Sequence, residues 1–239
     1  MTLRALIFDV DGTLADNERY GHRPAFNEAF AMVGLPWVWD EALYGTLLPI
    51  AGGKERIRHY AEHYDPDTFA QPDFESLVQT IHREKTRLYL ARLASGTIPL
   101  RHDVGPLICE ARSEGVRLAI ASSTTRENVF GLLRANLGPD AEHWFDVVAA
   151  GDTVPVKKPA PDIYLWTLQA LDLPATDCLA IEDSAHGLAA SLGAGIPTVV
   201  TMNDYTRNDC FDGARMTLSE FNDVDLGRLR EWHASATLP

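Results

Sequence analysis

Asp9-Val10-Asp11-Gly12-Thr13 places two carboxylates two residues apart, directly after the apolar run LRALIF. In extended backbone, residues i and i+2 project to the same side, so these two acids can converge on one centre. Adjacent anions raise each other's pKa unless a cation lies between them. Mg²⁺ meets that need, because it is a hard ion that prefers oxygen ligands and accepts a substrate phosphate among them. One carboxylate can then attack phosphorus while the other trades a proton with the leaving oxygen. Taken alone, the segment reads better as a turn, since Asp and Gly favour turns anyway.

Three later segments change that balance. The run VRLAIA ends in Ser122-Ser123-Thr124-Thr125, where a hydroxyl and exposed N–H groups at a helix entrance can hold phosphate oxygens. Helix capping explains the same residues equally well. Lys157-Lys158-Pro159-Ala160-Pro161-Asp162 offers a lysine in a rigid Pro-x-Pro turn, able to neutralise phosphate and nucleophile together; the alternative is a solvated charge. CLAI ends in Glu182-Asp183-Ser184, acids that complete a Mg²⁺ site or cap the next helix. Each bland explanation is adequate singly. Four such segments in order, each at a strand end, are hard to explain by capping.

The elements that must position these groups are legible as a rhythm. Short apolar runs recur at 3–8, 116–121, 146–150, 178–181 and 197–201, bounded by turn or polar residues. Helix-like stretches at 104–115, 128–138, 161–173 and 184–195 alternate with them, the last closing on Gly195. Buried parallel strands alternating with helices predict an α/β, doubly wound (Rossmann-like) sheet, with ligands at the carboxyl ends of its strands. Residues 17–95 break the rhythm, reading as amphipathic helices without strands. They are expected to form a helical cap inserted between core segments 1–16 and 96–239. Within it, Trp37 and Trp39 read as core, and His59, Glu62, His63 and Asp65 lack convincing metal spacing.

Composition bounds the partners. The 239 residues carry 34 acidic against 21 basic side chains, a formal charge of −13. An acidic surface disfavours nucleic acid and anionic lipid, so neither is expected as a partner, and a phosphate site needs local cations or a metal. Cys109, Cys178 and Cys210 are odd in number and scattered, as reduced thiols of a cytoplasmic protein would be. No signal peptide or membrane-spanning run is apparent. A monomer is expected. Against the negative charge, Lys54, Arg56, Arg58, His82, Arg83 and Lys85 gather within 17–95 and could meet a second phosphate, or form a solvated helix face. The Gly52-Gly53 pair would let backbone approach that anion.

The ordered set resembles the haloacid dehalogenase superfamily of phosphatases over essentially the whole chain. The resemblance implies Asp9 as nucleophile, Asp11 as general acid/base with its carbonyl on the metal, Ser122 and Lys158 as phosphate-binding groups, and both Glu182 and Asp183 at the Mg²⁺ site, with Asp183 favoured as the direct ligand and Glu182 ligating directly or through water. GHRPAFNEAF, LYGTLLPIAGGKERI and IHREKTRLY further resemble the CbbY-type branch, phosphatases of the Calvin cycle that hydrolyse xylulose 1,5-bisphosphate. By that likeness Glu18, Gly52, Gly53, Lys54, Glu55, Arg56, His82, Arg83 and Lys85 contact the sugar phosphate, with Ser123, Thr124 and Asn128 lining the core side. Arg101-His102-Asp103-Val104 departs from the superfamily's common Arg-Pro-Gly turn, and His186 follows the acidic motif. A β-phosphoglucomutase or a phosphoglycolate phosphatase shares the core motifs. A catalytically silent binding protein would have lost them.

Overall fold

The computed structural model describes residues 2–235, and the chain divides into two compact units, Met1–Asp16 with Pro99–Pro239, and Asn17–Ile98. In chain order, strand β1 (Ala5–Phe8) is followed by a π-helical turn (Glu18–His22) and helices α1 (Arg23–Met32), α2 (Glu41–Leu47), α3 (Gly53–Tyr64), α4 (Pro66–Phe69) and α5 (Phe74–Ala94). Then come α6 (Val104–Ser113), β2 (Arg117–Ser122), α7 (Arg126–Leu137), β3 (Val147–Ala150), α8 (Asp162–Leu171) and β4 (Cys178–Glu182). The chain continues through α9 (Ala185–Gly193), β5 (Thr198–Thr201), β6 (Met216–Leu218) and α10 (Leu226–Ala234).

The larger unit is a six-stranded parallel sheet in the order β3-β2-β1-β4-β5-β6. This is the doubly wound α/β core. Strands β1, β3, β4 and β5 are buried at every residue, which is why they read as continuous apolar runs instead of alternating ones. Strand order reverses between β1 and β4, and such a switch point opens a crevice at the carboxyl edge. Register delivers the chemistry there: Phe8 pairs with Ile120 and with Ile181, so Asp9, Ser122 and Glu182 leave the sheet at a common edge.

Local chemistry sets the strand exits. Thr125 caps α7 by accepting the Asn128 N–H, and Ser184 caps α9 by accepting the Gly187 N–H. The capping explanation therefore falls on Thr125 and Ser184, and Ser122 is left as the last residue of β2. Lys158 is buried, which removes the solvated-charge explanation for it. Asp103 stands where the common turn has glycine, and it adopts the left-handed conformation at φ 62°. Its carboxylate accepts the Asp223 N–H at 2.8 Å, which helps hold a conformation otherwise costly for a residue with a Cβ.

In the helical unit, α1 packs on α5, and an aromatic cluster of Phe26, Phe30, Trp37, Trp39, Tyr44 and Tyr60 joins α1 to the following loop, α2 and α3. Trp37 and Trp39 are core, as their setting in a small helical unit requires, while Val38 between them faces out. No helix among the described residues is long and apolar enough to cross a membrane. The short edge strand β6 is only half-buried and α10 follows it; neither has the continuous apolar signature that marked the other strands.

Candidate active site

Asp9 follows β1 and is buried, and its backbone N–H donates to the Ile181 carbonyl at 3.0 Å, locking it beside the end of β4. The chain then turns tightly, with Gly12 N–H donating to Ala15 O at 2.9 Å and Leu14 N–H to Val10 O at 2.9 Å. Gly12 sits at φ +88°, and a Cβ there would lie 2.1 Å from Asp183 Oδ2 and 2.7 Å from Asn203 Nδ2. Glycine is thus required both by conformation and by the approach of the acidic motif. Asp11, on the half-exposed side of the turn, is bridged through its backbone to Ala15.

Lys158 stands at the centre. Its Nζ donates to Asp9 Oδ1 at 2.8 Å and to Glu182 Oε1 at 2.6 Å, with all three side chains buried. Burial alone would lower the lysine pKa, but the two carboxylates reverse this and hold the ammonium charged well above its ordinary range. Burial pushes the Asp9 carboxyl up to about 7, against the pull of Lys158 and with the help of Glu182 and Asp11. Glu182 is engaged on both oxygens: its Oε1 also accepts from Tyr164 Oη, its Oε2 accepts the Asp183 N–H at 3.3 Å, and a Cβ on Gly187 would collide with it. Its hydrogen bonds hold Lys158 in place, although Glu182 itself belongs to the acidic group.

Asp9, Glu182 and Asp183 present carboxylate oxygens all within 4.8 Å of one another. Three acids against one ammonium leave a surplus of two negative charges in a low-dielectric setting, which a divalent cation would neutralise. The donor set is oxygen only, the chemistry a hard ion prefers. The residues present, Asp9, Glu182 and Asp183, therefore fit a hard divalent cation such as Mg²⁺.

Ser122 is buried at the end of β2 and its Oγ accepts the Thr124 N–H at 3.4 Å. Thr124 Oγ1 accepts from Asn128 Nδ2 at 3.1 Å, while Asn128 Oδ1 is a buried acceptor without a hydrogen-bond partner among the described residues. Ser123 beside them is half-buried. Lys157, by contrast, spends its ammonium on Gly151 O at 2.6 Å, Asp152 and Val154 O.

In the helical unit the sequence-predicted residues divide. Arg56 is buried and donates to Leu47 O at 3.1 Å, Tyr44 Oη at 2.9 Å and Ile50 O at 3.3 Å, and it lies 4.0 Å from the Glu18 carboxylate. Tyr44 in turn donates to Glu18. Lys85 is buried with its ammonium 4.9 Å from the Phe26 ring and 5.5 Å from that of Tyr89. Gly52 (φ +97°) lets the Glu55 carboxylate come close, and a Cβ on Gly53 would lie 3.0 Å from His82 Cδ2. Lys54 is half-buried at the start of α3. Arg58 pairs with Glu75 at 2.8 Å and Arg83, largely exposed, with Glu84 at 3.4 Å. The six basic side chains therefore do not form one uniform solvated face, because Arg56 and Lys85 are drawn inward by aromatic rings and carbonyls.

Three further residues bond to the site segments; Asn203 and Tyr164 lacked a motif to reveal them, and Arg101 stood in a turn segment noted only for its departure from the common pattern. Asn203 Nδ2 donates to Asp183 Oδ2 at 2.7 Å. Tyr164 donates to Glu182 from within α8, where it reads as one more core aromatic. Arg101 binds the carbonyls of Gly12 at 2.7 Å, Thr201 at 3.2 Å and Met202 at 2.7 Å. For Asn203 the one available signal is position, since it follows the end of β5 as the other site residues follow theirs.

Comparison with known proteins agrees with this geometry. Residues 3–195 match the family model of the haloacid dehalogenase-like hydrolases. Protein CbbY of Cupriavidus necator is 46% identical, with 97% of each chain covered. The crystal structure of a CbbY variant from Rhodobacter sphaeroides in complex with xylulose-(1,5)bisphosphate superimposes with a TM-score of 0.88 at 44% identity, covering 95% of this chain and 98% of that one. A β-phosphoglucomutase from Clostridium difficile has a TM-score of 0.79 at 19% identity over 97% of both chains, a likeness of fold.

Proposed function

The chain belongs to the haloacid dehalogenase-like hydrolases, and from that membership we propose a Mg²⁺-dependent phosphatase that hydrolyses a small sugar bisphosphate, xylulose 1,5-bisphosphate, through a phosphoryl group carried on Asp9. The observation that carries this reading is the buried Lys158 clamped between Asp9 and Glu182, with the Asp183 carboxylate alongside. A dianionic phosphate approaches such a centre only if its negative surplus is cancelled.

In the proposed reaction an Asp9 carboxylate oxygen attacks phosphorus, and the bond from phosphorus to the sugar oxygen breaks as the new bond forms. Asp11 gives its proton to the departing alkoxide, then takes one from the water that attacks the phosphoryl-aspartate, so phosphate leaves and both acids are restored. The Lys158 ammonium and the Ser122 hydroxyl hold the non-bridging oxygens where charge develops. Glu182 and Tyr164 keep the ammonium in place. Bound Mg²⁺, held by Asp9, Asp183 and the Asp11 carbonyl, supplies electrostatic stabilisation of the transferring group. Thr124 and Asn128 shape the floor beneath Ser122, and Ser123 offers a further hydroxyl.

Recognition of the second phosphate is assigned to the helical unit. Lys54 and His82, at the Gly52-Gly53 turn, take the anion, with Arg83 adding positive charge. Glu18 and Glu55 take sugar hydroxyls, and Arg56 and Lys85 fix the turn and the helix from behind. The CbbY likeness supports this assignment, at 46% identity over nearly the whole chain. The β-phosphoglucomutase likeness is one of fold alone and favours no mutase chemistry.

Phosphate release across a panel of sugar phosphates tests the reading. A ketopentose 1,5-bisphosphate is expected to exceed its monophosphate by orders of magnitude in kcat/KM, because binding energy from the remote group is used to reach the transition state. Equal rates on both would remove the bisphosphate assignment. Full turnover after exhaustive chelation would remove the metal.

A further inference from the structure

Asp183 leaves β4 with its carboxylate against the Gly12 turn, and what aims it is a side chain from a different strand exit. Asn203 follows β5, and its amide has no freedom to flip. Its Oδ1 accepts the Tyr205 N–H at 2.9 Å and the Thr206 N–H at 3.2 Å, while its own N–H donates to Thr206 Oγ1 at 3.1 Å. With the oxygen committed to two backbone donors, the NH₂ end must face Asp183, where Nδ2 donates to Oδ2 at 2.7 Å. The molecule makes room for this pair, since a Cβ on Gly12 would strike both of its members. The segment that carries Asn203 is anchored as well: the half-buried Arg101 guanidinium grips Thr201 O and Met202 O together with Gly12 O, tying the β5 exit to the Asp9–Gly12 turn.

We propose that Asn203 is a positioning residue for the cation site: it engages Asp183 Oδ2 so that the other carboxylate oxygen is presented to Mg²⁺, with Arg101 holding the two loops in register. The inference rests on the proposed Mg²⁺ site. An oriented ligand loses less freedom on binding, and losing an outer partner of this kind costs about ten- to a hundredfold in metal affinity. A role confined to capping the loop would involve Oδ1 and Thr206 and leave the metal unaffected.

Calorimetric titration of the metal-free protein with MgCl₂, without substrate, tests this, alongside the Mg²⁺ dependence of phosphate release. Asn203→Ser retains a short oxygen able to serve the Tyr205 and Thr206 N–H groups but cannot reach Asp183. It is expected to weaken Mg²⁺ binding by about tenfold or more, and to raise the Mg²⁺ concentration at half-maximal rate in parallel. kcat at saturating Mg²⁺ should fall by a smaller factor. Thr206→Val loosens the same loop without touching the amide–carboxylate bond, and should lower the melting temperature while leaving Mg²⁺ affinity within about twofold. If Asn203→Ser binds Mg²⁺ as tightly as the parent, or Thr206→Val weakens it as much, the proposal is overturned and loop order alone is at work. If the parent protein binds no Mg²⁺, the metal site itself is wrong and this inference goes with it. Should Asn203→Ser fail to fold by circular dichroism, Asn203→Thr supplies the same test.

Discussion

Each unit of the molecule buries a cation, and the two burials differ in what surrounds them. Lys158 in the α/β unit sits between two carboxylates, with a third acid within 4.8 Å of both. Arg56 in the helical unit donates to two backbone carbonyls and a phenol, with the Glu18 carboxylate at 4.0 Å. A buried cation facing excess negative charge is an arrangement that costs stability unless another cation completes it, the mark of a site built for chemistry. A buried cation spent on carbonyls closes a loop. Residue type does not distinguish the two; their acceptors do.

The largest effect should come from breaking the first arrangement at its proposed nucleophile. Asp9→Asn removes the attacking oxygen's charge and is expected to reduce phosphate release to background in a protein with an unchanged circular dichroism spectrum. Appreciable turnover by the folded variant would transfer the nucleophile's role to another residue. Next comes Asp11→Asn, with a loss of about two to four orders of magnitude on sugar phosphates, whose alkoxide leaves poorly without a proton. On p-nitrophenyl phosphate the phosphorylation step should suffer less. An equal loss on both, with phosphorylation rate-limiting, would count against a proton-transfer role.

The same contrast explains what could be read from the sequence. Strands β1 to β5 were legible because burial on both faces demands unbroken apolar runs, and Asp9, Ser122, Lys158 and Glu182-Asp183 were legible because they stand in short motifs at the ends of such runs or just ahead of a helix. Strand β6, three half-exposed residues at the sheet edge, carries no such run. Asn203 and Tyr164 act through single hydrogen bonds to motif residues more than fifteen positions away, and a lone Asn or Tyr carries no periodic signal. Arg56 stood out by its charge and its glycine-led loop; its hydrogen bonds to Tyr44 and Leu47 of α2 and to Ile50 in the turn after it are disclosed only by the folded arrangement.

Arg56→Ala sharpens the comparison from the other side. It strands the Ile50 carbonyl and one oxygen site on Tyr44 and takes one of two donors from the Leu47 carbonyl, at a cost of about 1–3 kcal/mol. Urea denaturation should register that loss, and turnover on a monophosphate and a bisphosphate should fall together as the Gly52-Gly53 turn loosens. A variant of unchanged stability that loses only the bisphosphate advantage would make Arg56 a substrate contact and dissolve the distinction drawn between the two cations.

The smallest effect expected is also the most specific to the α/β unit. Burial raises Asp9 from 3.8 to about 7, so in metal-free protein the folded state holds a proton that the unfolded chain releases above its ordinary carboxyl pKa. A raised folded pKa contributes stability that is fully present below the unfolded value and is lost as pH rises through about 7. Mg²⁺ competes with that proton for the same carboxylate and stabilises only the deprotonated form. Its apparent affinity should therefore fall between pH 7.5 and pH 6, as displacement of a proton held by the raised Asp9 carboxyl requires. Thermal unfolding with and without Mg²⁺ reads this directly: the Mg²⁺-induced rise in melting temperature should be larger at pH 7.5 than at pH 6 at equal, subsaturating metal. Arg56 has no part in that proton balance, so Arg56→Ala should lower the melting temperature and leave the pH dependence of the Mg²⁺ effect intact. A Mg²⁺ effect that is flat across this range would mean that Asp9 is already ionised at pH 6, with Lys158 outweighing burial.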